Sequence, residues 1–367
     1  MPRKFCPTYA ITPKIAQDLL KIESIKEKIV HLPLTPTILS SLRETARLFT
    51  THYSTMIEGN RLELQQIDDV LKHKGHFPGR ERDEHEVKGY YAALTQIEQW
   101  VAKETPINEK MLQTLHAMVM SSGSARVKPT PYRDGQNVIR DGHTKQIVYM
   151  PPEAKDVPHL MAALINWISD NKNTLPCPVV ASIVHYQFAT IHPYYDGNGR
   201  TARLLTTFIL HLGNYDLKGL YSLEEYYARN LSGYYNAISI GTSHNYYMGR
   251  ENADITKWID YFIGGMLISF EKVYEHMHEA HLHGAADNTE LIRNLDAKQR
   301  KVLELFQQFS VVTSSQIGNL FGFKPRTSTQ LCKKWTEAGF LEIINFSNKG
   351  RKYRLAKYYE ELLCKKK

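Results

Sequence analysis

Apolar residues recur along this chain at helical spacing far more often than at strand spacing. Between 37 and 58, Ile38, Leu42, Ala46, Phe49, Tyr53 and Ile57 follow one another in steps of three or four, tracing one helical face. Gly59-Asn60 then supplies a stop. A second helix is predicted over 83–102, with Val87, Tyr90, Tyr91, Leu94, Ile97 and Trp100 on its apolar side, and a third over 107–120. Helices resume near 156–170, 178–191 and 200–212, and 255–277 reads as the last of this region. The tyrosines of 221–247 read as packing residues rather than ligand contacts.

Two stretches break the helical rhythm. Residues 121–135 are punctuated by Gly123, Pro129, Pro131 and Asp134-Gly135, which reads as loop. Val138-Ile139-Arg140 and Gln146-Ile147-Val148-Tyr149 then flank Asp141-Gly142-His143-Thr144, a β-hairpin around an Asp-Gly turn. A lone hairpin in a helical protein offers unpaired edges to a partner strand, or stays a bare surface loop. Near the C-terminus, helices at 295–309, 313–321 and 325–338 precede two β-prone runs, 340–344 and 352–355, bracketing Ser347 to Arg351. Three helices and a hairpin in that order are those of a winged helix. The fold class expected is therefore mainly α, with the hairpin and a C-terminal winged-helix domain as its additions.

Charge sharpens that division. The 367 residues carry a net +8, yet 291–367 holds 16 basic and 6 acidic residues, leaving −2 for residues 1–290. A basic C-terminal module suggests a polyanionic partner such as DNA; dimerisation, target docking or a solvated basic tail are the alternatives. Lys324, Arg326, Lys333 and Lys334 fall on the third helix, and Lys349, Arg351, Lys352 and Arg354 on the wing. Composition is that of an ordinary globular chain, with 42% hydrophobic and 23% charged residues, which excludes collagen-like and largely disordered classes. No apolar run reaches the length that spans a bilayer, and no signal peptide opens the chain. Cys6, Cys177, Cys332 and Cys364 are widely spaced, so neither a zinc site nor a disulfide framework is indicated, and a cytoplasmic location is expected. His276, His278, His281 and His283 do not line one helical face and read as linker rather than metal site.

Chemistry concentrates in His192-Pro193-Tyr194-Tyr195-Asp196-Gly197-Asn198-Gly199-Arg200-Thr201-Ala202-Arg203. A helix delivers His192, a glycine-rich turn follows, and another helix starts at once. Glycines let backbone N–H groups approach a ligand, and the new helix adds unpaired N–H groups and a positive dipole end. This combination suits phosphate. Arg200 and Arg203 stand one turn apart and can point toward one anion. Asp196 is an oxygen ligand of the kind Mg²⁺ takes when it also binds phosphates, and His192 can act as general base near neutral pH. No Gly-x-x-x-x-Gly-Lys-Ser/Thr is present, so the chain is not a P-loop NTPase.

The segment resembles the signature of Fic domain proteins, His-Pro-Phe-x-Asp-Gly-Asn-Gly-Arg-x-x-Arg, and departs from it only in Tyr194 for Phe. The resemblance covers roughly residues 35–280 and implies a Fic-type helical core with the hairpin as its flap. It implies transfer of AMP from ATP to a Ser, Thr or Tyr hydroxyl of a target protein, with release of pyrophosphate. By resemblance His192 takes the hydroxyl proton and Asp196 binds Mg²⁺. Gly197, Asn198, Gly199, Arg200, Thr201, Ala202 and Arg203 line the nucleotide, Asn230 contacts it, and the 138–149 flap docks the target. The target could be the protein itself. Ser54-Thr55-Met56-Ile57-Glu58-Gly59 resembles the family's inhibitory motif, Ser/Thr-x-x-x-Glu-Gly/Asn, whose Glu pairs with the second signature arginine. Glu58 would thus pair bidentately with Arg203 and displace the γ-phosphate; in some relatives the same Glu serves removal of AMP. The layout expected is a helical region over 1–110 with its inhibitory helix at about 37–59, a catalytic core over 111–284 and a winged helix over 291–367. A homodimer is compatible with this layout. The alternative function is a DNA-binding transcriptional regulator whose core only senses nucleotide, although a pure sensor needs no base.

Overall fold

The segment Cys177–Ile191 is apolar on every side, and a helix without a polar face must be buried. In the computed structural model it is. The structure describes residues 4–31, 36–72, 75–124, 126–141, 144–241, 243–282, 295, 297–321, 323–345 and 351–360. The chain divides into two compact units, Met1–His281 and Leu282–Lys367.

In the first unit, α1 (Pro13–His31), α2 (Pro36–Ile57), α3 (Leu64–Leu71), α4 (Glu81–Ala102) and α5 (Glu109–Met120) precede the hairpin of β1 (Ile139–Arg140) and β2 (Ile147–Tyr149). Helices α6 (Val157–Asn171), α7 (Cys177–Ile191), α8 (Asn198–Leu212), α9 (Leu223–Arg229), α10 (Leu231–Ile238) and α11 (Thr256–Leu282) follow. One hydrophobic core runs from Ile15 to Met277, so the region before residue 110 shares its core with the region after it. Helix α7 is central to this core. Its His185 is buried between Thr206 Oγ1 of α8 (2.9 Å) and the Tyr234 hydroxyl of α10 (3.0 Å), and its Ser182 carbonyl accepts from the Trp258 indole of α11 (2.7 Å). These contacts fix α8, and hence the loop before it, to the core.

Helix α2 departs from its apolar stripe. Ile38 and Leu42 lie outside the residues whose side chains are described. Farther along, Phe49 and Tyr53 are only half-buried, whereas Thr51, Ser54 and Thr55 are fully buried. On this deepest face Ser54 meets an arginine of α8, as described below, while the Thr55 hydroxyl donates back to the Thr51 carbonyl (2.9 Å).

The hairpin pairs Ile139 with Tyr149 and Arg140 with Ile147, antiparallel. It is less isolated than the sequence suggested: Met150 donates to the His244 carbonyl (2.7 Å) and accepts from Tyr246 N (3.0 Å) in a parallel bridge. Gly142 and His143 of its turn lie outside the described residues.

The second unit has its own core around Val302, Phe306, Ile317, Trp335, Phe340 and Tyr353. Its order is α12 (Ala297–Gln308), β3 (Val312–Thr313), α13 (Ser314–Phe321), α14 (Pro325–Glu337), β4 (Leu341–Asn345), β5 (Lys352–Leu355) and α15 (Lys357–Glu360). The three strands form an antiparallel sheet in the order β3-β5-β4. Thr313 caps α13 reciprocally: its Oγ1 accepts from Gln316 N, and the Gln316 side chain accepts from Thr313 N. Residues 346–350, with Lys349, and the linker histidine His283 lie outside the described residues, as does Cys364.

Candidate active site at the start of helix α8

Helix α7 ends on His192, whose φ of 51° is left-handed. A non-glycine residue holds that conformation only when its surroundings enforce it. Here Arg133, itself buried, donates from Nε to the His192 carbonyl (3.0 Å) and from its backbone N to the Pro193 carbonyl (2.9 Å). Its Nη1 and Nη2 donate to the Gly135 and Pro152 carbonyls, which lie before and after the hairpin. One guanidinium therefore ties the histidine turn to both ends of the hairpin segment.

The turn is braced from within. Asn198 Oδ1 accepts from Tyr194 N (2.9 Å) and its Nδ2 donates back to the Tyr194 carbonyl (2.8 Å), so this buried amide closes the loop on itself. Tyr194 is buried beneath the loop and stacks on His116 of α5, ring centroids 3.6 Å apart. The His116 Nε2 donates to the Asp196 carbonyl (2.9 Å). Burial pushes the His116 imidazole down to about 4, so it is neutral at physiological pH. Gly197 has a φ of 76°, and a Cβ there would meet the Met120 sulfur and His116 Nε2. Glycine is thus required both by conformation and by space.

His192 Nδ1 faces the Ala189 carbonyl at 3.4 Å. A carbonyl only accepts, so Nδ1 carries the proton and Nε2 keeps its lone pair. Burial lowers the His192 imidazole to about 4, against the opposing pull of the Ala189 carbonyl and the Glu58 and Asp196 carboxylates. The ring is neutral across the physiological range and able to receive a proton.

Helix α8 begins at Asn198 behind Gly197, and Thr201 N already donates to the Gly197 carbonyl (3.0 Å). The unspent amides are therefore those of Asn198, Gly199 and Arg200. Of the residues expected to line the nucleotide, Thr201 donates its hydroxyl to the Gly197 carbonyl (2.8 Å), and Ala202 lies fully in the core. Both side chains are fully buried. Asn230 is exposed and caps α10, its Oδ1 accepting from Gly233 N (2.9 Å). Asp196 is largely exposed, and its Oδ1 accepts from Gly197 N (2.7 Å).

The two arginines diverge rather than converge. Arg203 points to α2: Nε donates to Ser54 Oγ (2.8 Å), and Nη2 donates to the Ser54 carbonyl (2.9 Å) and to Glu58 Oε1 (2.8 Å). Glu58 thus contributes one oxygen, not two, while Ser54 accepts from Nε and shares Nη2. Burial works against the Arg203 charge, but the Glu58 carboxylate, its hydrogen bond and the neighbouring tyrosine oxygens together hold the guanidinium protonated. A Cβ on Gly199 would collide with Glu58 Oε1, so this carboxylate lies against the first turn of α8. Arg200, buried to 2% side-chain exposure, points the other way, toward Glu86 of α4 and Asp196, 3.7 Å from each.

Sequence reasoning missed Arg133, His116 and Glu86. Arg133 sits in a loop without periodicity, and the other two look like ordinary helical positions. Only their spatial neighbours reveal them.

Comparison with known proteins matches residues 106–210 to the Fic/DOC family. The chain is 29% identical over 208 residues to the protein adenylyltransferase fic-1 of Caenorhabditis briggsae, covering 55% of this chain and 39% of that protein. It is 30% identical over 203 residues to the protein adenylyltransferase Fic of Drosophila mojavensis, covering 54% and 39%. The chain thus spans about two fifths of the length of these curated relatives. Among solved structures, a Fic family protein from Desulfovibrio desulfuricans superposes with a TM-score of 0.62 at 24% identity, covering 96% of this chain and 99% of that one. Fic-1 of C. elegans superposes with a TM-score of 0.58 at 22% identity, over 72% and 73%. The fold is therefore that of Fic proteins, mainly helical, and residues 106–210 of this chain match the Fic/DOC family.

Proposed function

We propose that this chain is a protein adenylyltransferase restrained by its own helix α2. The observation that carries the reading is the position of Glu58. Its carboxylate lies against Gly199 at the start of α8 and on Arg203, where the helix dipole and unspent amides favour an anion. The sequence thus supplies an internal anion for a phosphate site. The names of the relatives above support the same activity.

The substrates are ATP and a hydroxyl side chain of a target protein. The amides of Gly199 and Arg200, with the two arginines once Glu58 has withdrawn, bind the phosphates and orient the α-phosphorus. His192 Nε2 accepts the proton of the target hydroxyl. That oxygen forms a bond to the α-phosphorus as the bond to the β-phosphate oxygen breaks, and pyrophosphate leaves. Arg133 keeps the histidine and the hairpin in one frame, which is the positioning such a displacement depends on. Asp196 suits Mg²⁺: it is an exposed carboxylate beside the phosphate site, and Mg²⁺ commonly takes one or two carboxylates together with phosphate oxygens. Bound there, Mg²⁺ would neutralise charge on the phosphates. Removal of AMP through Glu58 would run on the same groups.

The test incubates wild type, Glu58→Gly and the Glu58→Gly, His192→Ala double variant with ATP and Mg²⁺ and reads intact mass, on the protein itself and on lysate proteins. An AMP-sized gain with Glu58→Gly that is lost in the Glu58→Gly, His192→Ala double variant supports the reading. No gain on any protein overturns it.

A second reading concerns the C-terminal unit, which we propose as a winged-helix DNA contact. Lys324, Arg326, Lys333 and Lys334 are exposed on or beside α14, and β5 turns Lys352 and Arg354 outward while Tyr353 and Leu355 are buried. Such a surface predicts duplex binding by the full chain that weakens steeply with salt. Absent or salt-independent binding rejects it. Among the described residues no helix is long and apolar enough to cross a membrane.

A further inference from the structure

Arg200 and Arg203 are both buried, but their donors are spent differently. Arg203 donates hydrogen bonds of 2.8 and 2.9 Å to Ser54 and Glu58. Arg200 stands 3.7 Å from Glu86 Oε1, 3.7 Å from Asp196 Oδ1 and 3.9 Å from the Met120 sulfur, and its Nε has no hydrogen-bond partner among the described residues. A buried guanidinium with donors to spare is unstable unless an anion can be reached.

Glu86 divides its two oxygens. Oε1 faces Arg200 and accepts from Arg82 Nε (3.1 Å), while Oε2 accepts from Asn60 Nδ2 (3.1 Å). Asn60 also donates to the Asp83 carbonyl (2.9 Å), and its backbone N donates to the Thr55 carbonyl (3.1 Å). It therefore fixes the chain two residues beyond Glu58. One carboxylate, itself about nine-tenths buried, thus faces both a signature arginine and the end of α2.

We propose that Glu86 is a positioning residue for nucleotide binding. It is close enough to steer the Arg200 guanidinium by charge, yet too far to consume its hydrogen-bond donors. The inference rests on the adenylyltransferase reading of the same site. A phosphate can take the open donors of Arg200 while the guanidinium keeps its long ion pair with Glu86. Reaching Arg203 requires breaking a charge-assisted hydrogen bond to Glu58. Arg200 is accordingly the arginine that meets the phosphates before α2 moves, and Glu86 sets how well it is aimed.

The test measures ATP binding by calorimetry and AMP transfer kinetics in the Glu58→Gly background, with and without Glu86→Gln. Glutamine keeps the size of the side chain and an acceptor for Asn60, but removes the charge facing Arg200. ATP affinity is expected to weaken roughly tenfold, in line with the loss of one oriented charge contact, with KM for ATP rising alongside and kcat changing by less than about twofold. Unchanged affinity, or a fall in kcat with KM unchanged, overturns the proposal. Glu86→Asp keeps the charge and carries the test even if the Gln variant does not fold: affinity within about threefold of the background supports it, and a loss of about tenfold overturns it. If Glu58→Gly binds ATP but transfers no AMP, the adenylyltransferase reading fails, and the calorimetry still decides the role of Glu86.

Discussion

The two ends of the segment from His192 to Arg203 are held by different chemistry. At the histidine end, the chain uses neutral backbone carbonyls as anchors: Arg133 donates to those of His192, Gly135 and Pro152, Asn198 to that of Tyr194, and His116 to that of Asp196. No phosphate or hydroxyl substrate can compete for those bonds, because an anion does not replace a carbonyl acceptor buried inside a turn. At the arginine end, the anchor hydrogen-bonded to Arg203 is itself an anion, Glu58. A polyphosphate can replace an anion. The base is therefore preformed while the phosphate site is contested, which separates readiness for chemistry from permission to bind.

The comparison breaks most sharply at His192. In the Glu58→Gly background, His192→Ala should lower AMP transfer by about 10²–10⁴-fold, the usual worth of a general base, with ATP affinity nearly unchanged. Equal losses of binding and transfer would mean that the two ends are not separate. Next in size, Glu58→Gly alone should raise transfer and ATP affinity by about ten- to a hundredfold, since a charge-assisted hydrogen bond to a buried arginine is removed as a competitor. Arg133→Gln should lower kcat by roughly tenfold with little change in KM for ATP, because the anchored carbonyls belong to the histidine end. Ser54→Ala, which leaves Glu58 in place but removes an acceptor from Arg203, should relieve inhibition only a few-fold. If Ser54→Ala matched Glu58→Gly, the restraint would lie in the packing of α2 rather than in its carboxylate.

Acidification sharpens the comparison further. The imidazoles of His116 and His192 are lowered by burial to about 4, and that of His185 to about 3. An unfolded histidine titrates near 6.5. Between those values the unfolded chain takes up protons that the folded chain refuses. Stability should therefore be flat above about pH 6.5 and fall progressively toward pH 4, read as a declining thermal midpoint. Transfer by Glu58→Gly should hold down to about pH 5 and fall as His192 protonates near 4.

Much of this was legible from the chain alone. The helix-loop-helix of α7 and α8 follows from an apolar run and a glycine-rich stop, and the Glu58–Arg203 contact follows from the motif around Ser54. What stayed hidden depends on tertiary neighbours. The deepest face of α2 bears Thr51, Ser54 and Thr55, and of these Ser54 meets the buried Arg203, a contact that apolar periodicity does not point to. Arg133 has no local pattern, since its partners are carbonyls, and every residue has one. The side chains of Thr201 and Ala202 turn inward for a simple geometric reason: once a helix has completed its first turn, its amides are spent on its own carbonyls and half its side chains face the core.

The close approach of Glu58 to Gly199 also bears on the choice of laboratory controls. A Gly199→Ala substitution would ordinarily be made to ruin a phosphate cradle. In this chain the added methyl would first strike the carboxylate of Glu58, so damage to the cradle and release of the restraint would arrive together. Such a variant is no clean blank for an assay, and suppressor screens that begin from it would return changes in α2 as readily as changes in the loop.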